Sequence, residues 1–139
     1  MFNGFAEKVV TAGTFEGFLL FAFALFIGHA LADYPLQGAF LASGKNRNCD
    51  CSMFFVGSSV PKGLWIHALT AHSLIHAGAV WLITGSVFLG LVELVVHWLI
   101  DFVRCDERIS FNTDQLLHYL CKVVYALLLV SGVALPFQG

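Results

Sequence analysis

The stretch Glu93-Leu-Val-Val-His97-Trp-Leu-Ile-Asp101 places an ionisable residue at every fourth position of an otherwise apolar segment. Residues four apart lie on one face of an α-helix, about 6 Å apart along its axis. The segment therefore points two carboxylates and one imidazole in the same direction. Because ionisable side chains are costly in a helix that crosses a membrane, they usually face a partner or a water-filled cavity. This face is a candidate functional site.

The composition around this stretch predicts a membrane protein. Of the 139 residues, 58% are hydrophobic and 12% are charged, and the mean hydropathy is +0.81. A soluble domain has about 25% charged residues, so this chain has too few charges to cover a soluble surface. The net charge of −2 and the scattered basic residues argue against a nucleic-acid partner. The four cysteines, three of them in predicted loops, favour burial or a reducing face over a disulfide framework.

Four apolar segments are long enough to be predicted membrane spans, at about residues 15–33, 61–84, 87–103 and 114–135. Tyr34 precedes Pro35, which ends the first span. The second and third spans are joined by Gly85-Ser86 alone, so they should form an antiparallel hairpin. Asn112 or Thr113 is expected to cap the fourth span. We therefore predict an all-α bundle of four transmembrane helices in two antiparallel hairpins, forming a single domain over residues 1–139.

The distribution of basic residues predicts the orientation of this bundle. One predicted side of the membrane holds only Lys8, whereas the first and third loops and their edges hold five basic residues, namely Lys45, Arg47, Lys62, Arg104 and Arg108. By the positive-inside rule, both loops are cytoplasmic and both termini are extracytoplasmic. The predicted location is the bacterial inner membrane.

Each predicted span carries two polar residues at i and i+4 near the same, cytoplasmic end. Imidazoles and carboxylates are ligands of Zn, Mn or Fe(II), and helical bundles build metal sites from such pairs on facing helices. His67 lies about 140° around its helix from His72, so it is expected to be a hydrogen-bonding residue outside the site. The remaining residues exceed the four ligands of a closed zinc site, which predicts one or two divalent ions. The candidate metal ligands are His29, Asp33, His72, His76, His97, Asp101, Asp114 and His118.

Five further polar residues are candidates for catalysis or substrate binding. Glu93 lies one turn deeper than the ligand layer and is either a base or a protonated core carboxyl. Gln115 is a candidate catalytic residue that orients ligands. Gln37, Lys45 and Arg104 are placed where they can bind the phosphate of a lipid.

The order of these motifs resembles a small bacterial and phage membrane family catalogued as domain of unknown function 3307. The resemblance covers about residues 18–129 and rests on five segments, His29-Ala-Leu-Ala-Asp33-Tyr-Pro-Leu-Gln37, Lys45-Asn46, His72-Ser-Leu-Ile-His76, His97-Trp-Leu-Ile-Asp101-Phe and Asp114-Gln115-Leu-Leu-His118. It implies a multi-span protein with a His/Asp site, and some relatives are labelled membrane-bound metal-dependent hydrolases. The chain departs from the family in having Arg104 where a lysine is common, and in its Cys49-Asp-Cys51 loop.

The leading hypothesis is therefore a metal-dependent hydrolase that acts on a lipid or lipid phosphate at the cytoplasmic membrane face. A divalent metal or proton transporter is the main alternative, although the third span is apolar on the far side of Glu93. A membrane di-iron oxidase is a further alternative, but the chain lacks the HxxHH clusters of fatty-acid desaturases. A non-catalytic membrane interaction protein also stays open. Membrane lipids are the expected partners, and self-association into a homo-oligomer is left open.

Overall fold

A computed structural model describes residues 14–136, and throughout that range the chain is helical or irregular with no β-strand. Lys8, on which the predicted orientation partly depends, lies outside the described residues. Five α-helices follow one another along the described chain, with a 3₁₀ turn at Ser52–Phe54 between the second and the third. We number them α1 (Thr14–Asp33), α2 (Gly38–Gly44), α3 (Leu64–Thr84), α4 (Val87–Cys105) and α5 (Phe111–Val130). The prediction of an all-α chain is confirmed.

The ends of the long helices follow local capping chemistry. Gly85 has a left-handed backbone (φ 70°) and ends α3, and the Ser86 side chain accepts a hydrogen bond from Leu89 N at 3.2 Å to begin α4. The fourth long helix begins earlier than predicted, because the Ser110 hydroxyl accepts a hydrogen bond from Thr113 N at 3.1 Å. The prediction of a cap at Asn112 or Thr113 is therefore wrong.

The segment predicted as a loop over residues 37–60 contains the short helix α2. Its Phe40 ring packs edge-on against Phe54, with 5.4 Å between the ring centroids. This contact with the 3₁₀ turn stabilises a helix that is too short to be recognised from apolar periodicity. The loop is thus a folded connection over the ends of the long helices.

Three of the helices, Phe15–Asp33, Leu64–Thr84 and Phe111–Val130, are long and apolar enough to cross a membrane. Helix α4 is of similar length but carries the charged residues Glu93, Asp101 and Arg104. The first two are buried, whereas Leu91, Val95 and Leu99 on the opposite face are exposed. Its charged groups therefore point into the protein and its apolar groups point outward.

Helices α3 and α4 pack along their length, α1 packs against both α3 and α5, and α5 also contacts α4. A Cβ atom added to Gly90 would lie 3.1 Å from the Ala77 carbonyl oxygen and 3.1 Å from Trp81 Cβ, so this glycine permits the close approach of α3 and α4. An apolar core that includes Phe21, Leu25 and Val80 fills one part of the bundle. Polar residues fill the other part.

Candidate functional site

The buried polar residues come from all four long helices and form one cluster near the ends of α1 and α4 and the start of α5. Asp33 is nearly buried, and the other members of the cluster are fully buried, namely His29, His72, His76, Glu93, His97, Asp101, Asp114, His118 and Lys122. All eight residues predicted as metal ligands belong to it. His67 is exposed and lies outside it, as its position on the helix predicted.

One group within the cluster has the composition of a metal site. Asp33, His72, His76 and His97 each offer one ligand atom, and these four atoms all lie within 4.8 Å of one another. His76 Nε2 is 3.2 Å and His72 Nε2 is 3.4 Å from Asp33 Oδ1. Three helices therefore direct three imidazoles and one carboxylate at a common point.

A second group shares one residue with the first. His97, Asp101 and His118 also place their ligand atoms within 4.8 Å of one another. Asp101 Oδ1 lies 3.2 Å from His118 Nε2 and 3.7 Å from His97 Nε2, and Asp101 Oδ2 lies 3.4 Å from His72 Nε2. The two groups are thus adjacent and are linked by His72 and His97.

Two of the predicted ligands, His29 and Asp114, lie at the edge of these groups. His29 Nε2 is 3.3 Å from Asp33 Oδ2, and Asp114 Oδ1 is 3.6 Å from His118 Nε2. The Gln115 amide nitrogen donates to Asp33 Oδ2 at 2.9 Å and to Asp114 Oδ2 at 3.3 Å. Gln115 therefore holds two carboxylates from different helices in place.

Several buried atoms of the cluster lack a hydrogen-bond partner within the described part of the chain. They include Nε2 of His72, Nε2 of His97 and Oδ1 of Asp114. Buried polar atoms in native proteins are nearly always bonded, so unpartnered imidazole nitrogens that face carboxylates need a further ligand. A divalent cation satisfies nitrogen and oxygen atoms of this kind together. The residues present therefore fit a metal ion.

Glu93 lies below these groups and is bonded on two sides. Its Oε1 atom accepts a hydrogen bond from Lys122 Nζ at 2.5 Å and lies 3.2 Å from His97 Nδ1. Lys122 is as deeply buried as Glu93. Lys122 is not among the site residues predicted from the sequence. Its spacing of four residues from His118 was the signal that placed it on the inward face of α5.

A pocket of about 340 Å³ opens over the cluster. Three carboxylates of the cluster line its floor, namely Asp33, Asp101 and Asp114. Gln115 lines the pocket too, and Tyr34 and Phe111 lie at its rim. The three residues predicted to bind substrate also line it, namely Gln37, Lys45 and Arg104. Their placement is established by the fold, and their roles stay predictions.

Hydrogen bonds and ion pairs already engage part of this pocket wall. Lys45 Nζ lies 2.6 Å from Asp101 Oδ2, and the Gln37 amide nitrogen donates to the Asp33 carbonyl oxygen at 2.9 Å. Beyond the pocket, Arg47 forms a two-pronged pair with Asp106, with distances of 2.9 and 2.6 Å. This pair fastens the loop after α2 to the end of α4.

The Cys49-Asp-Cys51 loop is separate from the cluster. Both cysteines line a different pocket of about 210 Å³, which shares none of the cluster residues. All four cysteines of the chain are free.

The comparison with known protein families identifies the chain's relatives. A family model described as "Protein of unknown function (DUF3307)" matches residues 20–137. The match covers most of the chain, so the chain belongs to this family, and the resemblance drawn from the motifs is confirmed. No curated protein and no solved structure matches the chain.

Proposed function

We propose that this member of the DUF3307 family is an integral membrane metalloprotein that hydrolyses a lipid or lipid-phosphate substrate at the cytoplasmic face of the bacterial inner membrane. The observation that carries the proposal is the buried cluster of imidazoles and carboxylates, which four helices build beneath a single open pocket. Charged groups buried in an apolar bundle lower stability unless they are paired, so their number points to a function. Membrane lipids are the proposed partners.

We propose that α4 is the fourth membrane span, which makes residues 1–139 a single transmembrane bundle of two antiparallel hairpins. The support is the direction of its side chains, because Glu93, His97 and Asp101 are buried while Leu91 and Val95 are exposed. A helix of this kind presents an apolar face to lipid once it is packed in a bundle. In this arrangement, the basic residues of the first and third loops face the cytoplasm.

We favour one resident divalent ion over two. The His97 Nδ1 atom is engaged with Glu93, so only its Nε2 atom is available, and this atom cannot serve both ligand groups at once. Charge leads to the same conclusion. The cluster contains four carboxylates, of which Asp101 pairs with Lys45 and Glu93 pairs with Lys122, so two negative charges are left when the imidazoles are neutral. A single divalent cation compensates them.

The group formed by Asp33, His72, His76 and His97 would hold this ion. Asp101, whose Oδ2 atom lies 3.4 Å from His72 Nε2, would be a further ligand of the same ion. A bound divalent ion lowers the pKa of its water towards neutrality and stabilises a developing oxyanion. Asp114 lines the pocket beside this group, so it is a carboxylate placed to act as the general base. Gln115 fixes the orientation of Asp33, and Glu93 fixes that of His97.

The shape of the polar region favours an enzyme over a transporter. The pocket opens at one end, and beyond the Glu93–Lys122 pair the bundle is filled by Phe21, Leu25 and Leu89. Transport needs polar groups that continue to the other side. One observation keeps transport of a divalent ion or protons as the second candidate, because Glu93 and Lys122 extend the polar region deeper than the ligand layer.

Elemental analysis of detergent-purified protein tests the proposal without knowledge of a substrate. We expect about one divalent metal ion per wild-type chain and loss of that ion in Asp101→Ala. Asp50→Ala is the matched control, because Asp50 is an exposed carboxylate in the loop and should leave the metal content unchanged. Asp101→Asn keeps the shape of the side chain and separates metal loss from misfolding, which circular dichroism would detect.

Activity assays then separate the two candidate functions. Turnover in a panel of lipid esters and lipid phosphates, lost in Asp101→Asn, supports the hydrolase. Metal flux into proteoliposomes that is lost in the same variant, without turnover, would favour the transporter. A wild-type protein that contains no metal after purification in metal-supplemented buffer would contradict the metal-dependent hydrolase and divalent-ion transport, and only proton transport would remain.

A further inference from the structure

The pocket above the cluster contains an arginine without an ionic partner. Arg104 is half-buried and lines the pocket, and no carboxylate oxygen of the described chain lies within 4.0 Å of its guanidinium. Lys45, Arg47 and Lys122 each pair closely with an acidic residue. Lys62 is the only other described cation without such a partner, and it is exposed and does not line this pocket.

A guanidinium that lines a pocket and pairs with no carboxylate is suited to an anionic ligand. Arginine presents a planar fork of donors that matches the oxygens of a phosphate in a two-pronged contact. Asp33, Asp101 and Asp114 line the same pocket, as does the exposed Glu107, and the three buried or nearly buried aspartates would repel that anion while their charges are uncompensated. An anion at Arg104 is therefore favoured only after a divalent cation has neutralised the carboxylates.

The rim of the pocket is aromatic and faces outward. Tyr34, at the end of α1, and Phe111, at the start of α5, both line the pocket and are 62% and 53% exposed. Leu31 and Ile27 lie one and two turns below Tyr34 on α1 and are also exposed. An apolar surface therefore continues from the mouth of the pocket along the outer face of α1.

We infer that this pocket is a binding site for a phosphate-bearing membrane lipid, in which Arg104 binds the head group and the acyl chain leaves past Tyr34 along the outer face of α1. The inference rests on the proposed metal site and narrows its substrate class to bilayer lipids with a phosphate in the head group. A guanidinium inside the pocket and an apolar rim at its mouth match an amphiphile, whereas a soluble phosphate ester would use only the guanidinium.

Binding of phosphatidic acid in micelles of an uncharged, phosphate-free maltoside detergent, compared with binding of inorganic phosphate, tests the inference. Metal content is measured in the same samples. We expect metal-loaded wild-type protein and Lys62→Gln to bind both probes, and Arg104→Gln to lose about tenfold or more in affinity for each. Chelation of the metal should lower the affinity for both probes as much as Arg104→Gln does, because the carboxylates then repel the anion.

The rim is tested with Tyr34→Ser, which should weaken binding of phosphatidic acid and leave binding of inorganic phosphate unchanged. Met53→Ser is the matched control, because Met53 is an exposed apolar residue of the loop that does not line the pocket. Unchanged affinities in Arg104→Gln would overturn the head-group assignment. If Tyr34→Ser changes the affinities for phosphatidic acid and for inorganic phosphate by the same factor, the lipid assignment is overturned in favour of a soluble ester. Absence of metal in the wild type would instead refute the proposed function on which the inference rests.

Discussion

The buried pair between Lys122 and Glu93 leads to a prediction that separates stability from metal binding. Both side chains are 1% exposed, and the same Glu93 oxygen contacts Lys122 Nζ and His97 Nδ1. Removal of one partner of a buried ion pair typically costs about 3–5 kcal/mol, because the other charge stays buried without compensation. We therefore expect Lys122→Met to lower the free energy of unfolding by that amount. Lys62→Met, which removes an exposed lysine, should have no effect.

The double variant Glu93→Leu with Lys122→Met should recover most of this stability, because no buried charge is left unpaired. If His97 is a metal ligand as proposed, this variant should nevertheless bind metal about 10–100-fold more weakly, since it removes the carboxylate that contacts His97 Nδ1. Replacing Glu93 by Gln in the Lys122→Met background keeps an oxygen that can accept from His97 Nδ1. That second double variant should bind metal more tightly than the first.

Unfolding in a titration of denaturing detergent, followed by circular dichroism, measures the first effect, and competition with a metal-sensitive dye measures the second. If Lys122→Met were as stable as the wild type, the Lys122–Glu93 pair would not be formed. Metal affinity equal to that of the wild type in the Glu93→Leu double variant would refute the orienting role of Glu93, whatever its stability.

Three further substitutions test packing, capping and the pocket wall. Gly90→Ala should lower the unfolding temperature because the new methyl group meets α3, whereas Gly78→Ala, with no atom within 4 Å of the added Cβ, should leave it unchanged or raise it slightly. Ser110→Ala should cost about 1 kcal/mol in the same assay through loss of the α5 cap. Lys45→Met should raise the affinity for metal in the dye assay, because the Lys45 ammonium group pairs with Asp101 at 2.6 Å and competes with a metal ion for this carboxylate. A lowered affinity would contradict this competition.

The sequence predicted the cluster of imidazoles and carboxylates because its information is local. Spacings of four residues fix which side chains share a helix face, and the distance of each pair from a helix end fixes its depth. Both quantities can be read without knowledge of the partner helices. The partner of Lys122 could not be identified in this way, because it depends on which faces of α4 and α5 meet. The two-pronged contact between Arg47 and Asp106 likewise depends on how the loop folds back.

The helix boundaries were harder to predict for a different reason. Ser110, Asn112 and Thr113 all favour the start of a helix, and only the completed backbone geometry shows that Ser110 accepts the bond. Helix α2 has too few residues for a periodic pattern and depends on the packing of Phe40 against the following turn. In both cases several local backbone conformations have similar energies, and tertiary contacts determine which one forms.

A bundle with a polar interior and an apolar exterior changes which residues specify the fold. In a soluble helix, the apolar residues identify the buried face, because the opposite face is polar. In α1 the apolar residues lie on all sides, with Phe21 buried and Phe23 exposed, so they do not identify a face. Only His29 and Asp33 distinguish the inward side. The residues of the buried polar cluster are therefore also the residues that orient the helices. Substitutions in the cluster should be tested for folding and for metal binding separately.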